Sequence, residues 1–144
     1  QLEIARKCGL PVIIHNRDSD EDVLAICKEH QDGSLQGQFH CFSSSAEYAE
    51  RVLEAGFHVS FTGNVTFKKT DLDEPLALVP DDRLLIETDS PFMTPAPHRG
   101  KRNDPSYIPM IAAYYAEIRQ TDVEHIARIT TGNARKLYNI STTE

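Results

Sequence analysis

Short, uninterrupted apolar runs alternate with helix-patterned stretches along the chain, and this rhythm constrains the fold more than any other feature. The runs LPVIIH (10–15), GQFHCF (37–42), FHVSFTG (57–63) and RLLIETD (83–89) have the length and apolar content of buried strands. Between them, helix spacing appears at 19–30, with Val23, Ile26, Cys27 and His30 on one side, at 45–56, and in a short piece near 72–79 that Pro80 ends. A helix carrying Ile108, Ile111, Tyr115 and Ile118 follows at 106–120. Ser44 with Glu47 and Thr121 with Glu124 have capping-box spacing, and Asn133 caps a last short helix, ARKLYNI. Leu2, Ile4, Ala5 and Cys8 give the first residues helical spacing with Gly9 as the stop. A helix already under way at Gln1 implies a longer protein whose N-terminal part is absent here.

Strands that are apolar throughout, each followed by a helix, form parallel sheets covered by helices. Two architectures satisfy that rule: an open doubly wound sheet, or half of an eight-stranded (β/α) barrel of TIM type. No G-x-G-x-x-G fingerprint occurs in the chain, which removes the usual reason to prefer the open sheet. The apolar runs are too short to span a bilayer. Cys8, Cys27 and Cys41 lack zinc-ligand spacing and read as free thiols of a reducing, cytoplasmic setting.

Chemistry in parallel α/β folds gathers at the carboxyl ends of strands. Strand one ends at His15, strand two carries His40 near its end, and strand four, in LLIETDSPF, ends at Asp89. Glu87 shares a strand face with Asp89 by alternation and, buried, needs a partner. His, His and Asp are all metal-capable. The segment from Ser90 to Pro105 is long for a strand-to-helix loop, and Pro91, Pro95, Pro97 and Pro105 stiffen it. The chain has a net charge of −7, so HRGKRN (98–103) stands out as a basic island. Arg99, Lys101 and Arg102 beside a carboxylate-bearing mouth point to phosphate recognition.

GLPVIIHNRD, FHCFSSS, LLIETDSPFMTPAPHRGKRNDP and TTGNARKLY, in that order, resemble successive signature blocks of the TatD-type metal-dependent DNase family. Ser44 stands where that family's FHCFSG block has glycine. The resemblance implies a parallel (β/α) barrel of TIM type within the metal-dependent hydrolase superfamily. It implies strands five to eight only, so that residues 1–144 form one domain, the C-terminal half of the barrel. The family's His-x-His pair on strand one and its Glu on strand four have no counterpart here.

The resemblance further implies that His15 and His40 ligate one divalent cation (Mg²⁺, Mn²⁺ or Zn²⁺) and that Asp89 ligates a second beside the attacking water. Arg99, Lys101 and Arg102 would then bind substrate phosphate, with DNA as the substrate. Two other readings stay open: a hydrolase of the same fold acting on a small amide or lactone, and an inactive fragment lacking the first-half ligands. A half barrel leaves sheet edges and an apolar inner face uncovered, from which self-association is expected.

Overall fold

A computed structural model describes residues 1–141; the last three residues of the expected domain lie outside the described ones. Four strands, β1 (Val12–His15), β2 (Gly37–His40), β3 (His58–Phe61) and β4 (Leu84–Ile86), form one sheet in the order β1-β2-β3-β4. Every pairing is parallel. Each strand therefore lies beside its predecessor with no reversal of order. That is the winding of a barrel wall; a doubly wound sheet reverses at a switch point.

Among the described residues six α-helices accompany the sheet: α1 (Leu2–Cys8), α2 (Asp20–His30), α3 (Ala46–Glu54), α4 (Asp73–Leu78), α5 (Ile108–Ile118) and α6 (Val123–Tyr138). The core between sheet and helices is built on Phe39, Val59, Phe61 and Leu84 from the strands, with Val52, Leu76, Ile111 and Tyr115 from the helices. Tyr115 donates its phenol hydrogen to the carbonyl of Phe61 at 2.8 Å, which satisfies a hydroxyl that is otherwise wholly buried. No helix among the described residues is long and apolar enough to cross a membrane.

Several local expectations shift. The strand expected over 83–89 stops at Ile86, so Glu87 and Asp89 lie beyond the sheet, although the Glu87 amide still bonds the Phe61 carbonyl at 3.2 Å. The inward face of α2 is Leu24 and Cys27; Ile26 is 51% exposed. The caps fall one residue later than the box spacing predicts: Ser45 accepts from the Tyr48 amide and Asp122 from the His125 amide. The freed Ser44 hydroxyl instead bonds the Asp20 carboxylate at 3.0 Å.

The two C-terminal helices are one. Asn133 is not a cap, because its amide donates to the carbonyls of Asp81 and Leu84, pinning α6 to the start of β4. The inner face of the sheet also differs from expectation. Register and alternation place Ile13, His15, Gln38, His40, His58, Ser60 and Leu85 on it, so it is mainly polar. Its conspicuous apolar exposure is Ile13, 62% accessible on the edge strand β1.

Candidate metal centre

His15 and His40 are register partners at the last positions of β1 and β2. A parallel pair in register puts both side chains on the same face, and here the rings meet. Nδ1 of His15 lies 2.9 Å from Nε2 of His40, with ring centroids 5.1 Å apart. His40 also presents its other nitrogen, Nδ1, to Oε2 of Glu87 at 3.6 Å, an electrostatic contact rather than a hydrogen bond.

Glu87 is the partnered carboxylate that LLIETDSPF calls for. Its Oε1 accepts from the Cys41 amide and from the Ser60 hydroxyl, both at 2.6 Å. Ser60 is fully buried, so this carboxylate ties the end of β2 to β3 while facing His40. Immediately after His40, Cys41 takes a positive φ of 47°, and Asp89 takes 54°. Both are non-glycine residues in the left-handed region, which is costly for a side chain and collects at functional sites. Burial raises the Cys41 thiol above its ordinary range, helped by the nearby Asp89 and Glu87 carboxylates.

His15, Arg17, His40, Cys41, Asn64, Phe67, Asp89, Phe92 and Met93 all line one cavity of about 580 Å³ at the carboxyl end of the sheet. The loop after Asp89 forms its rim and is internally fastened. Asn103, nearly fully buried, donates from its side chain to the carbonyls of Thr88 and Phe92 and from its backbone to that of Pro91. Thr94 bonds the Lys101 carbonyl at 2.6 Å, and Thr66 accepts from the Ala96 amide at 2.8 Å. The basic island is thus held in place. Arg99 lies over the ring of Phe67, 3.9 Å from its centroid. Arg99 and Lys101 line a second cavity of about 300 Å³ that shares Phe67, Phe92 and Met93 with the first. Arg102 stands outside both linings.

The donor set fits a divalent cation in part. Two imidazole nitrogens bound to one ion at about 2.0–2.1 Å would stand roughly 3.0–3.4 Å apart, close to the spacing here. The approach of Glu87 to the far nitrogen of His40 is the arrangement that orients metal-bound histidines. Among the described residues no group of three or more His, Cys, Asp or Glu side chains converges, so Asp89 shares the cavity without completing a ligand cluster with the pair. Sequence reasoning did not assign Arg17, Phe67 or Phe92 to this mouth. Arg17 follows His15 by two residues and was legible only as one more charge.

A parallel α/β layer with paired histidines at its strand ends, beside a fixed basic loop, has the arrangement of a metal-dependent hydrolase. Comparison with known proteins agrees. A profile of the family described as "TatD related DNase" matches residues 1–139, and the chain belongs to that family. It is 48% identical over 142 residues to the uncharacterized metal-dependent hydrolase YabD of Bacillus subtilis (strain 168), covering 98% of this chain and 56% of that protein. It is 34% identical to a protein of Erwinia billingiae named 3'-5' ssDNA/RNA exonuclease TatD, covering 97% of this chain and 56% of that one. Among solved structures, the TatD homolog YJJV of Escherichia coli K12 superposes with a TM-score of 0.91 at 28% identity, over 97% of this chain and 54% of that one. The chain therefore spans about half the length of the curated relatives it matches.

Proposed function

We propose that this chain is the part of a TatD-type barrel carrying strands five to eight, and that the complete protein is a metal-dependent phosphodiesterase acting on DNA. The observation that carries the reading is the adjacency of the two cavities: the one holding His15, His40 and Asp89 and the one holding Arg99 and Lys101 share Phe67, Phe92 and Met93 as lining residues. A hydrolytic centre and a phosphate-neutralising wall then belong to one groove. The name of the Erwinia relative supports a nucleic-acid substrate.

In this reading His15 contributes Nδ1 and His40 contributes Nε2 to a divalent cation, and Glu87 fixes the orientation of His40. A bound cation supplies Lewis acidity to a phosphoryl oxygen and lowers the pKa of a coordinated water. Asp89 orients the attacking water and accepts its proton. Arg99 and Lys101 hold the neighbouring phosphates, and Arg102 adds to the positive field around the loop. The open edge of β1, with Ile13 exposed, is where the remaining barrel strands would continue the sheet; in isolation that edge drives self-association.

The test is product analysis with the complete protein. DNA strands, a small lactone and a small amide are offered in the presence of Mg²⁺ or Mn²⁺, with Asp89→Asn as control. Phosphodiester cleavage that Asp89→Asn abolishes supports the reading. Turnover of the lactone or amide with DNA left intact refutes it.

A further inference from the structure

Phe92 is an aromatic ring with no pocket of its own. It is 67% exposed, although the loop carrying it is fastened at its backbone. The Phe92 amide donates to the Asp89 carbonyl at 2.9 Å, and the Phe92 carbonyl accepts from the buried Asn103 side chain. A surface ring on a mobile loop would be unremarkable. Within the described residues this ring is left uncovered by a loop tied on both sides, a placement preorganised for contact with something flat. Phe92 lines both cavities, the one containing His15, His40 and Asp89 and the one containing Arg99 and Lys101. The other aromatic of the groove, Phe67, already has the Arg99 guanidinium over its ring, so Phe92 is the ring left open.

We propose that Phe92 is a base-stacking platform, on which one unpaired nucleobase of the substrate strand lies while Arg99 and Lys101 hold the adjoining phosphates. The proposal rests on the phosphodiesterase reading and deepens it. A base must leave its helical stack to lie on Phe92, so the platform selects single-stranded ends over duplex. Stacking of this kind tolerates any base, since every base has a π face. Arg99, over the ring of Phe67, forms the neighbouring wall. Phe92 thereby sets which nucleotide sits at the cleavage position, and it acts on binding rather than on the chemical step.

The experiment uses the complete protein, with wild type, Phe92→Ala and Phe92→Tyr compared. Metal-free binding to short single strands carrying 2-aminopurine at successive positions is read by fluorescence quenching. KM and kcat are read separately with Mg²⁺ or Mn²⁺, on an intact strand and on strands with one abasic nucleotide. One 2-aminopurine position should be quenched by wild type and by Phe92→Tyr, and not by Phe92→Ala. Phe92→Ala should raise KM about tenfold on the intact strand with kcat nearly unchanged. It should change nothing on the strand abasic at that position. Equal quenching and equal KM for wild type and Phe92→Ala, in a protein that cleaves the strand, would overturn the platform and leave the phosphodiesterase reading standing. A wild type that neither binds nor cleaves any strand would overturn both.

Discussion

Replacing Glu87 by Gln should separate the structural work of this side chain from its work on His40. The carboxylate accepts two hydrogen bonds at 2.6 Å, from the Cys41 amide and the Ser60 hydroxyl, and its other oxygen faces His40 Nδ1 at 3.6 Å. Gln keeps the volume and, with its carbonyl oxygen in the Oε1 place, keeps both bonds as neutral ones. Charge-assisted bonds are worth about 1.5–3 kcal/mol and neutral ones about 0.5–1.5, so the loss is roughly 2–3 kcal/mol for the pair. The side chain is 22% exposed, which places the expected value toward the low end. The amide nitrogen now faces His40 Nδ1 as a donor. That favours the tautomer with its proton on Nε2, the nitrogen that meets His15 and that a cation needs free. Loss of such an outer partner lowers metal affinity about 10–100-fold.

The assay is competition with a chromogenic chelator for Zn²⁺ or Mn²⁺, beside urea unfolding in the presence of EDTA. Ser60→Ala is the control, because it removes one of the same stabilising bonds without touching His40. The expected pattern is lowered stability in both variants and lowered metal affinity in Glu87→Gln alone. Metal affinity unchanged in Glu87→Gln would show that Glu87 merely ties strands together.

Three further outcomes follow from the same geometry. Gly63→Ala would drive a methyl into the Met93 carbonyl oxygen and to 2.7 Å from the Pro95 nitrogen, both backbone, so the loop after Asp89 must shift; unfolding should show a loss of about 1–3 kcal/mol, and an unchanged midpoint would refute the close approach. Burial holds the His58 ring below its ordinary value of 6.5, aided by Arg83. The unfolded chain therefore takes up its proton first, and stability present above pH 6.5 is lost as pH falls toward the lower folded value. His58→Gln should flatten that limb in urea titrations from neutral pH downward, and identical slopes would count against it. In the complete protein, Arg99→Ala with Lys101→Ala should reduce the salt dependence of single-strand binding by about 1.4 in log–log slope, at about 0.7 per phosphate contact; an unchanged slope would mean a solvated loop.

Much of the fold is legible in the residues because β-branched and aromatic runs and helical periodicity mark the elements directly. The site was legible to the extent that strand ends could be placed: His15 and His40 do meet, since equal positions on adjacent parallel strands share a face. What stayed hidden depends on distant contacts. The end of β4 at Ile86 reflects where the Phe61 pairing runs out, and nothing local in RLLIETD announces it. The merged C-terminal helix depends on Asn133 finding the carbonyls of Asp81 and Leu84 some fifty positions away, as the sequence separations of 52 and 49 record. The polar inner face follows from register, which a single strand read alone does not contain. Nothing in the residues around Phe67 shows that Arg99 lies over its ring.

In the proposed function, His15 and His40 together hold a divalent cation at the mouth of the sheet. Isothermal titration of the chain with Zn²⁺, for wild type and His15→Ala, measures it directly, with His98→Ala as a control on a histidine outside the mouth cavity. Wild type and His98→Ala should bind, and His15→Ala should lose nearly all binding. Equal metal uptake by wild type and His15→Ala would contradict this.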